Sequence, residues 1–211
     1  MQSRYGNHDV RISIRGFGSR SNTGIRGVRM LLDGIPESEP DGQTRIEAID
    51  FNALGSIEVT GGNASALYTN AQGGVINFIS NIKFYKPLVW SFNEFGEFAE
   101  FGMRKNSLKF GAAADKLRFM STFTYSNYKD YREHSEEYQK MFNSVLETEV
   151  GSVSTLSVLT NFVSGAIRLP GSLTLSQFET NPNQANASDK GRDAKRDSRK
   201  GRLAVRFNSM F

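Results

Sequence analysis

Two Gly-Gly pairs, Gly61-Gly62 and Gly73-Gly74, divide residues 57–80 (IEVTGGNASALYTNAQGGVINFIS) into two strand-like ends and a middle of small residues. Before the first pair, Ile57 and Val59 alternate with polar residues; after the second comes a short apolar run, residues 75–79. Glycine supplies positive φ and lets two backbones approach closely, so the stretch predicts a tight β-turn-β unit. A phosphate-cradling loop is the competing use of such glycines. Neither the Walker spacing with Gly-Lys-Ser/Thr nor Gly-x-Gly-x-x-Gly stands here, which argues against it.

The residues upstream supply partners for that unit. Residues 10–15 (VRISIR) alternate with period two and predict a half-buried strand. Residues 16–27 hold four glycines among Ser, Asn and Thr and read as a loop. A second strand, 28–32, is stopped by the Asp33-Gly34 turn and Pro36, and an acidic turn follows over 37–43. Ile46, Ile49 and Leu54 fall on one side of residues 44–54, which predicts a short helix. Short strands around one helix make a small α+β domain, ending near Asn81.

After Lys86-Pro87 the pattern changes to aromatic-rich segments with one apolar and one polar face. Leu117, Phe119, Phe123 and Tyr125 alternate with Arg118, Thr122, Thr124 and Ser126. Phe142, Leu146 and Val150 alternate with Asn143, Glu147 and Glu149; Leu203, Val205, Phe207 and Phe211 with Arg206 and Asn208. The spacing predicts six strands, at 88–101, 107–114, 117–128, 140–150, 153–168 and 201–211. Turns at 115–116 and 151–152 are very short, whereas 131–138 and 169–200 read as long polar loops. No window of eighteen apolar residues encodes a membrane helix, but transmembrane strands need only about ten alternating residues. Short turns at one end and long loops at the other are the habit of outer-membrane barrels, while a soluble sheet with one face on a core would show the same alternation. Closed barrels begin at about eight strands, so six make a partial one.

Three motifs in order carry a resemblance. IRGFGSR (14–20), LLDGIPE (31–37) and the glycine-paired stretch 57–80 resemble the plug domain of TonB-dependent outer-membrane receptors. The resemblance is direct over about residues 10–80 and one of pattern only beyond. It implies an α+β plug domain over 1–86, incomplete at its N-terminus. Antiparallel transmembrane β-barrel strands, incomplete at their C-terminus, follow over 87–211. MQSRYGNHDV has no apolar segment of a signal peptide, and neither an upstream plug piece nor a TonB-contacting segment precedes the motifs, so the expected chain is a fragment. The implied function is ligand-gated active uptake of a ferric siderophore or similar scarce nutrient complex. The implied partners are the TonB energy-transducing complex, the chelate and outer-membrane lipid, with no cofactor.

The same resemblance points to residues. Arg15 matches an arginine that anchors the plug to glutamates of the barrel wall; read without it, Arg15 is a strand-end arginine in water. The family's second anchoring arginine falls at Gly61, with Asn63 in place of a proline and Thr69 in place of the glycine after Tyr68, which puts the usual plug-barrel lock in doubt. Arg20, Ser21, Asn22, Arg26, Glu37 and Glu39 fall in the apical plug loops that touch substrate, and the two arginines suit an anionic ligand.

Other function classes lack residues. The chain has no cysteine and two histidines, His8 and His134, far apart, and neither His-Glu-x-x-His nor Gly-x-Ser-x-Gly is present, so neither an enzyme nor a metal site is expected. Glu37, Glu39 and Asp41 lack the order of a calcium loop. Residues 190–202 carry seven basic side chains, but Asp189, Asp193 and Asp197 interleave them and no aromatic stands between, so nucleic acid is not an expected partner and a solvated loop is. The net charge of +4 adds little. The alternatives are a soluble β-rich binding protein and a truncated product without activity.

Overall fold

A computed structural model describes residues 12–18, 25–38, 44, 46–80, 89–99 and 102–209. The chain divides into two compact units, Met1–Asn81 and Ile82–Phe211, each with its own sheet. The boundary expected at residues 86 and 87 lies outside the described residues.

The first unit is a four-stranded mixed sheet in the order β2-β1-β4-β3. Strand β1 (Val28–Leu32) runs parallel to β4 (Gly74–Ser80) and antiparallel to β2 (Ile35–Pro36), while β3 (Leu54–Gly61) is antiparallel to β4. Alternation gives β1 two apolar faces. Val28, Met30 and Leu32 pack with Ile25, Ile46, Ile49, Ile76 and Phe78; on the other side Leu31 packs with Ala71 and Val75 under Ala64 and Tyr68. A strand apolar on both faces is a central strand, and β1 is one.

Two expectations here are corrected. The helix over 44–54 is instead two 3-10 turns, Ile46–Ala48 and Phe51–Ala53. Asp50 stands between them in an extended conformation and its side chain accepts from Asn52 N at 3.1 Å, capping the second turn and interrupting any continuous helix. Ile46 and Ile49, three apart, share a side in a 3-10 turn and are both buried. Of the strand expected over 10–15, the described part is not a strand. Ile14 and Phe17 bridge each other across a two-residue turn in which Arg15 (φ 49°) and Gly16 (φ 88°) are both left-handed.

The second glycine pair acts through close approach. A Cβ on Gly73 would lie 2.6 Å from Phe17 Cβ, and one on Gly74 (φ 138°) would lie 2.3 Å from Thr60 O. Gly73 therefore seats Phe17, and Gly74 lets β4 close on β3 opposite Gly61.

The second unit is an open six-stranded antiparallel sheet, each strand beside its sequence neighbour. Its strands are β5 (Val89–Ala99), β6 (Met103–Ala114), β7 (Leu117–Tyr128), β8 (Glu137–Val150), β9 (Ser154–Arg168) and β10 (Lys195–Ser209). The expected six strands are present. β10 starts six residues before the expected 201, so much of the basic stretch 190–202 is strand and not loop. The reason is register: β9 runs on to Arg168, and its ladder pairs Arg168 with Lys195, giving polar residues a strand that composition alone does not favour. The loop after β9 shortens to 169–194 and contains two short helices, α1 (Leu175–Thr180) and α2 (Ala187–Gly191). A Thr174–Gln177 capping box starts α1.

The alternation read from the sequence sets the faces. Leu117, Phe119, Phe123 and Tyr125 share one face of the sheet with Phe142, Leu146, Phe162, Leu203, Val205 and Phe207. That face is open: Phe162 is 53% and Phe207 60% exposed. Thr122, Thr124, Gln139, Asn143, Ser157 and Asn161 lie on the other face, interleaved with Met120, Met141, Val145, Leu159 and Val163, and all are buried. A soluble sheet on a core would bury the aromatic face and expose the polar one; here the arrangement is reversed.

Candidate functional site

Three polar constructions frame what the chain can bind. The first lies in the turns of the first unit. After β1 the chain turns at Asp33 (φ 54°) and Gly34, and the Asp33 carboxylate accepts from Ser80 N and Ser80 Oγ, both at 2.8 Å. Asn77 Oδ1 accepts from Gly34 N at 3.0 Å, and Asn70 Oδ1 accepts from Gly27 N at 3.1 Å. Side chains from β4 and the loop before it thus hold the segments that flank β1. The sequence shows the Asp-Gly turn; it gives no sign that Asn77 and Ser80 meet it.

Arg15 is exposed at the tip of its turn, and Arg26 is exposed beside Gly27. The segments that carry them pass close at Gly18, where a Cβ would meet Ile12 O at 2.3 Å and Arg26 O at 3.5 Å. Glu37 is only 3% exposed, and its N–H donates to Met30 O at 2.9 Å. Arg20, Ser21, Asn22 and Glu39 lie outside the described residues.

The second construction is the polar face of the wall, a side-chain ladder in rows set by register. Ser107 and Thr124 hydroxyls share a hydrogen bond of 2.7 Å, and Asn161 Nδ2 donates to Asn143 Oδ1 at 2.5 Å. Nearer the short turns, Arg118 spans two carboxylates of the neighbouring strand, donating to Glu147 at 3.0 Å and closely to Glu149, while Ser157 Oγ donates to the second Glu147 oxygen at 3.0 Å. A guanidinium forked between two carboxylates is a strong, directional charge pairing.

The third is a clasp between the loops at the other end. Arg132 donates to Gln184 O at 3.0 Å and to Pro170 O at 3.2 Å, and Glu133 N donates to Asn183 O at 2.8 Å. Lys190 Nζ pairs with Glu133 at 2.7 Å; Arg168 and Lys195 meet Asp193 at 3.1 and 3.3 Å. The buried His134 ring lies 3.0 Å from Ala194 O. The hydrogen bond from Lys190 holds the Glu133 carboxyl below its usual range. That from Lys195, helped by Arg168, does the same for Asp193 against slight burial. The sequence shows these loops as long and polar, and hides that they are tied.

Among the described residues no group of three or more His, Asp or Glu is placed to hold a metal ion, and no helix is long and apolar enough to cross a membrane. What the arrangement offers is an open apolar face, a polar face able to present hydrogen bonds and charge, and ordered loops at one end.

Residues 1–75 match the family model described as the TonB-dependent receptor plug domain. Among solved structures, the chain is similar to the ferric citrate transporter FecA in its unliganded form, at 19% identity and a TM-score of 0.68, over 97% of this chain and 32% of that one. It is similar to the siderophore receptor PirA from Acinetobacter baumannii at 19% identity and a TM-score of 0.67, over 94% and 31%. A mutant of the ferric enterobactin receptor PfeA from Pseudomonas aeruginosa gives 16% identity and a TM-score of 0.61, over 95% and 32%. At these identities the likeness is one of fold. The chain spans about a third of the length of each of these structures.

Proposed function

We propose that this chain, whose residues 1–75 match the TonB-dependent receptor plug model and whose fold is similar to part of such receptors, works in the outer membrane, in active uptake of a ferric siderophore or similar scarce chelate driven by TonB. The work is binding and gating, not bond chemistry. One observation carries the reading: the sheet leaves an aromatic face open while its buried face sets Thr122, Thr124, Asn143, Ser157 and Asn161 among apolar residues, in strands whose backbone groups are paired along the ladder. A hydrocarbon layer requires paired backbone groups, which β6 to β9 have on both sides, and it favours apolar side chains on the face that meets lipid. From Leu117 to Tyr125 the apolar face takes nine residues of β7, at the lower end of the roughly 9–11 that a tilted transmembrane strand needs. By the same architecture, the end carrying loops 129–136 and 169–194 faces outward from the cell.

Within this reading, Arg20, Ser21, Asn22, Arg26, Glu37 and Glu39 contribute to the ligand-facing side of the plug, and Arg15 is its anchoring arginine. Exposure of Arg26 suits contact with a ligand; Arg15 is also exposed, as an arginine in water would be, so its anchoring part asks for a carboxylate of the wall as partner. The burial of Glu37 assigns it a contact only in a conformation that opens its turn.

The test is uptake. Cells lacking the gene should lose transport of one radiolabelled ferric chelate, recover it with the native gene, and lose it again when the proton-motive force is collapsed. Recovery that persists without that force, or a product that fractionates away from the outer membrane, would overturn the reading.

A further inference from the structure

The aromatic face of the wall carries a groove of about 400 Å3, lined by Phe123, Lys140, Phe142, Phe162, Arg199 and Gly201 among others. Two adjacent register rows build it. Phe123, Phe142 and Phe162 lie in register across β7, β8 and β9, and the row ends at Gly201 on β10. A Cβ on Gly201 would stand 2.9 Å from Phe162 Cε1, so the ring leans over the glycine. The next row toward the long loops is Tyr125, Lys140, Ser164 and Arg199. Lys140 and Arg199 flank Ser164 on the two neighbouring strands, which separates their backbones by about 10 Å.

We propose that this groove holds one anionic lipid, its phosphate against Lys140, Ser164 and Arg199 and an acyl chain along the three phenylalanines. Both cations are exposed, and among the described residues neither has an ion pair or a side-chain hydrogen bond. Asp197 is two positions from Arg199 on the same face, and Arg104 stands in its row but four strands away, so Lys140 and Arg199 together leave the rim a positive excess over Asp197. Two unpaired cations beside an aromatic row stand where a lipid headgroup meets its chains, given the lipid-facing wall proposed above. A lone small anion would leave the phenylalanines uncovered. A zwitterionic lipid brings its own ammonium to a rim already positive, whereas an anionic lipid matches both rows at once.

Native mass spectrometry of the native protein in neutral detergent tests this, with phosphatidylglycerol and phosphatidylcholine of identical chains as probes. Preferred retention of phosphatidylglycerol is expected, falling about fivefold for each charge removed by Lys140→Gln and Arg199→Gln. Arg104→Gln should leave it within about twofold. Gly201→Val keeps every charge but crowds Phe162, and should also release the lipid. Equal retention of the two lipids, or displacement by the same concentration of inorganic phosphate, overturns the site while leaving the lipid-facing wall intact. Retention of neither lipid overturns the wall itself, and the site with it.

Discussion

The Asp33 carboxylate accepts two hydrogen bonds from Ser80, one from its N–H and one from its hydroxyl, both at 2.8 Å and across 47 positions of sequence. They tie the turn that ends β1 to the end of the parallel strand β4. Asp33 is 6% exposed and left-handed, a conformation that Asp tolerates better than most residues. Asp33→Ala removes both bonds and that tolerance, and leaves the Ser80 donors without this acceptor. The expected loss is about 2–3 kcal/mol in denaturant unfolding. Ser80→Ala removes only the hydroxyl bond and should cost about 1 kcal/mol. The double variant should cost less than the sum, as for groups in one network. Additive losses would mean the two residues act separately.

The glycine pairs are not equivalent. Gly74 needs the absence of a Cβ twice over, since φ is 138° and Thr60 O would lie 2.3 Å away. Gly62 is also left-handed, at φ 110°, but nothing lies within 4 Å of its missing Cβ. Gly74→Ala should therefore cost about 3 kcal/mol or more and loosen the β3–β4 ladder, whereas Gly62→Ala should cost about 1 kcal/mol. Amide exchange along β4 checks this: protection should collapse in the first variant and persist in the second.

Why these features were or were not legible in the sequence follows from the range of the forces involved. The strand over 28–32 and the two faces of 117–128 could be read because their period is local and packing agrees with it. The break at Asp50 is not legible, because an apolar spacing of three to four serves a helix and a pair of 3-10 turns alike. The start of β10 is hidden, because Lys195 and Arg196 become strand through the ladder with Arg168 and Ile167, partners that composition does not reveal. At the candidate site, motif and position single out Arg15 and Arg26, whose parts remain a proposal. The Asp33–Ser80 tie and the Arg132 clasp join residues dozens of positions apart, and no local pattern encodes such a meeting.

Arg118 holds Glu147 and Glu149 of the next strand, with Glu147 15% and Arg118 28% exposed at their side chains. Its position between an exposed and a buried pair sets the size of the effect. Removing the guanidinium by Arg118→Ala leaves two neighbouring carboxylates on one strand with no bridging cation, and should cost about 2 kcal/mol. Arg118→Lys restores charge without the fork and should recover only part of it. Glu147→Gln in the Arg118→Ala background relieves the repulsion and should raise stability. If it lowers stability further, the carboxylates are not the source of the cost.

The loop clasp should open in acid. Glu133 and Asp193 have folded-state pKa values lowered from 4.5 and 3.8 by the lysines that donate to them. A lowered carboxyl contributes its tie fully above the unfolded value and loses it as pH falls through the folded one, so the clasp is intact at neutral pH and weakens below about pH 4. Both groups are exposed, which keeps the effect local to loops 129–136 and 169–194 and reduces it in high salt. Spin labels at Tyr131 and Glu179 read it as a distance distribution, narrow at neutral pH and broad in acid. Glu133→Gln with Asp193→Asn should broaden the distribution at neutral pH, to the width the native loops reach in acid. A narrow distribution in that variant would show that the Arg132 bonds to Gln184 O and Pro170 O hold the loops without the carboxylates, and the acid opening would then be absent as well.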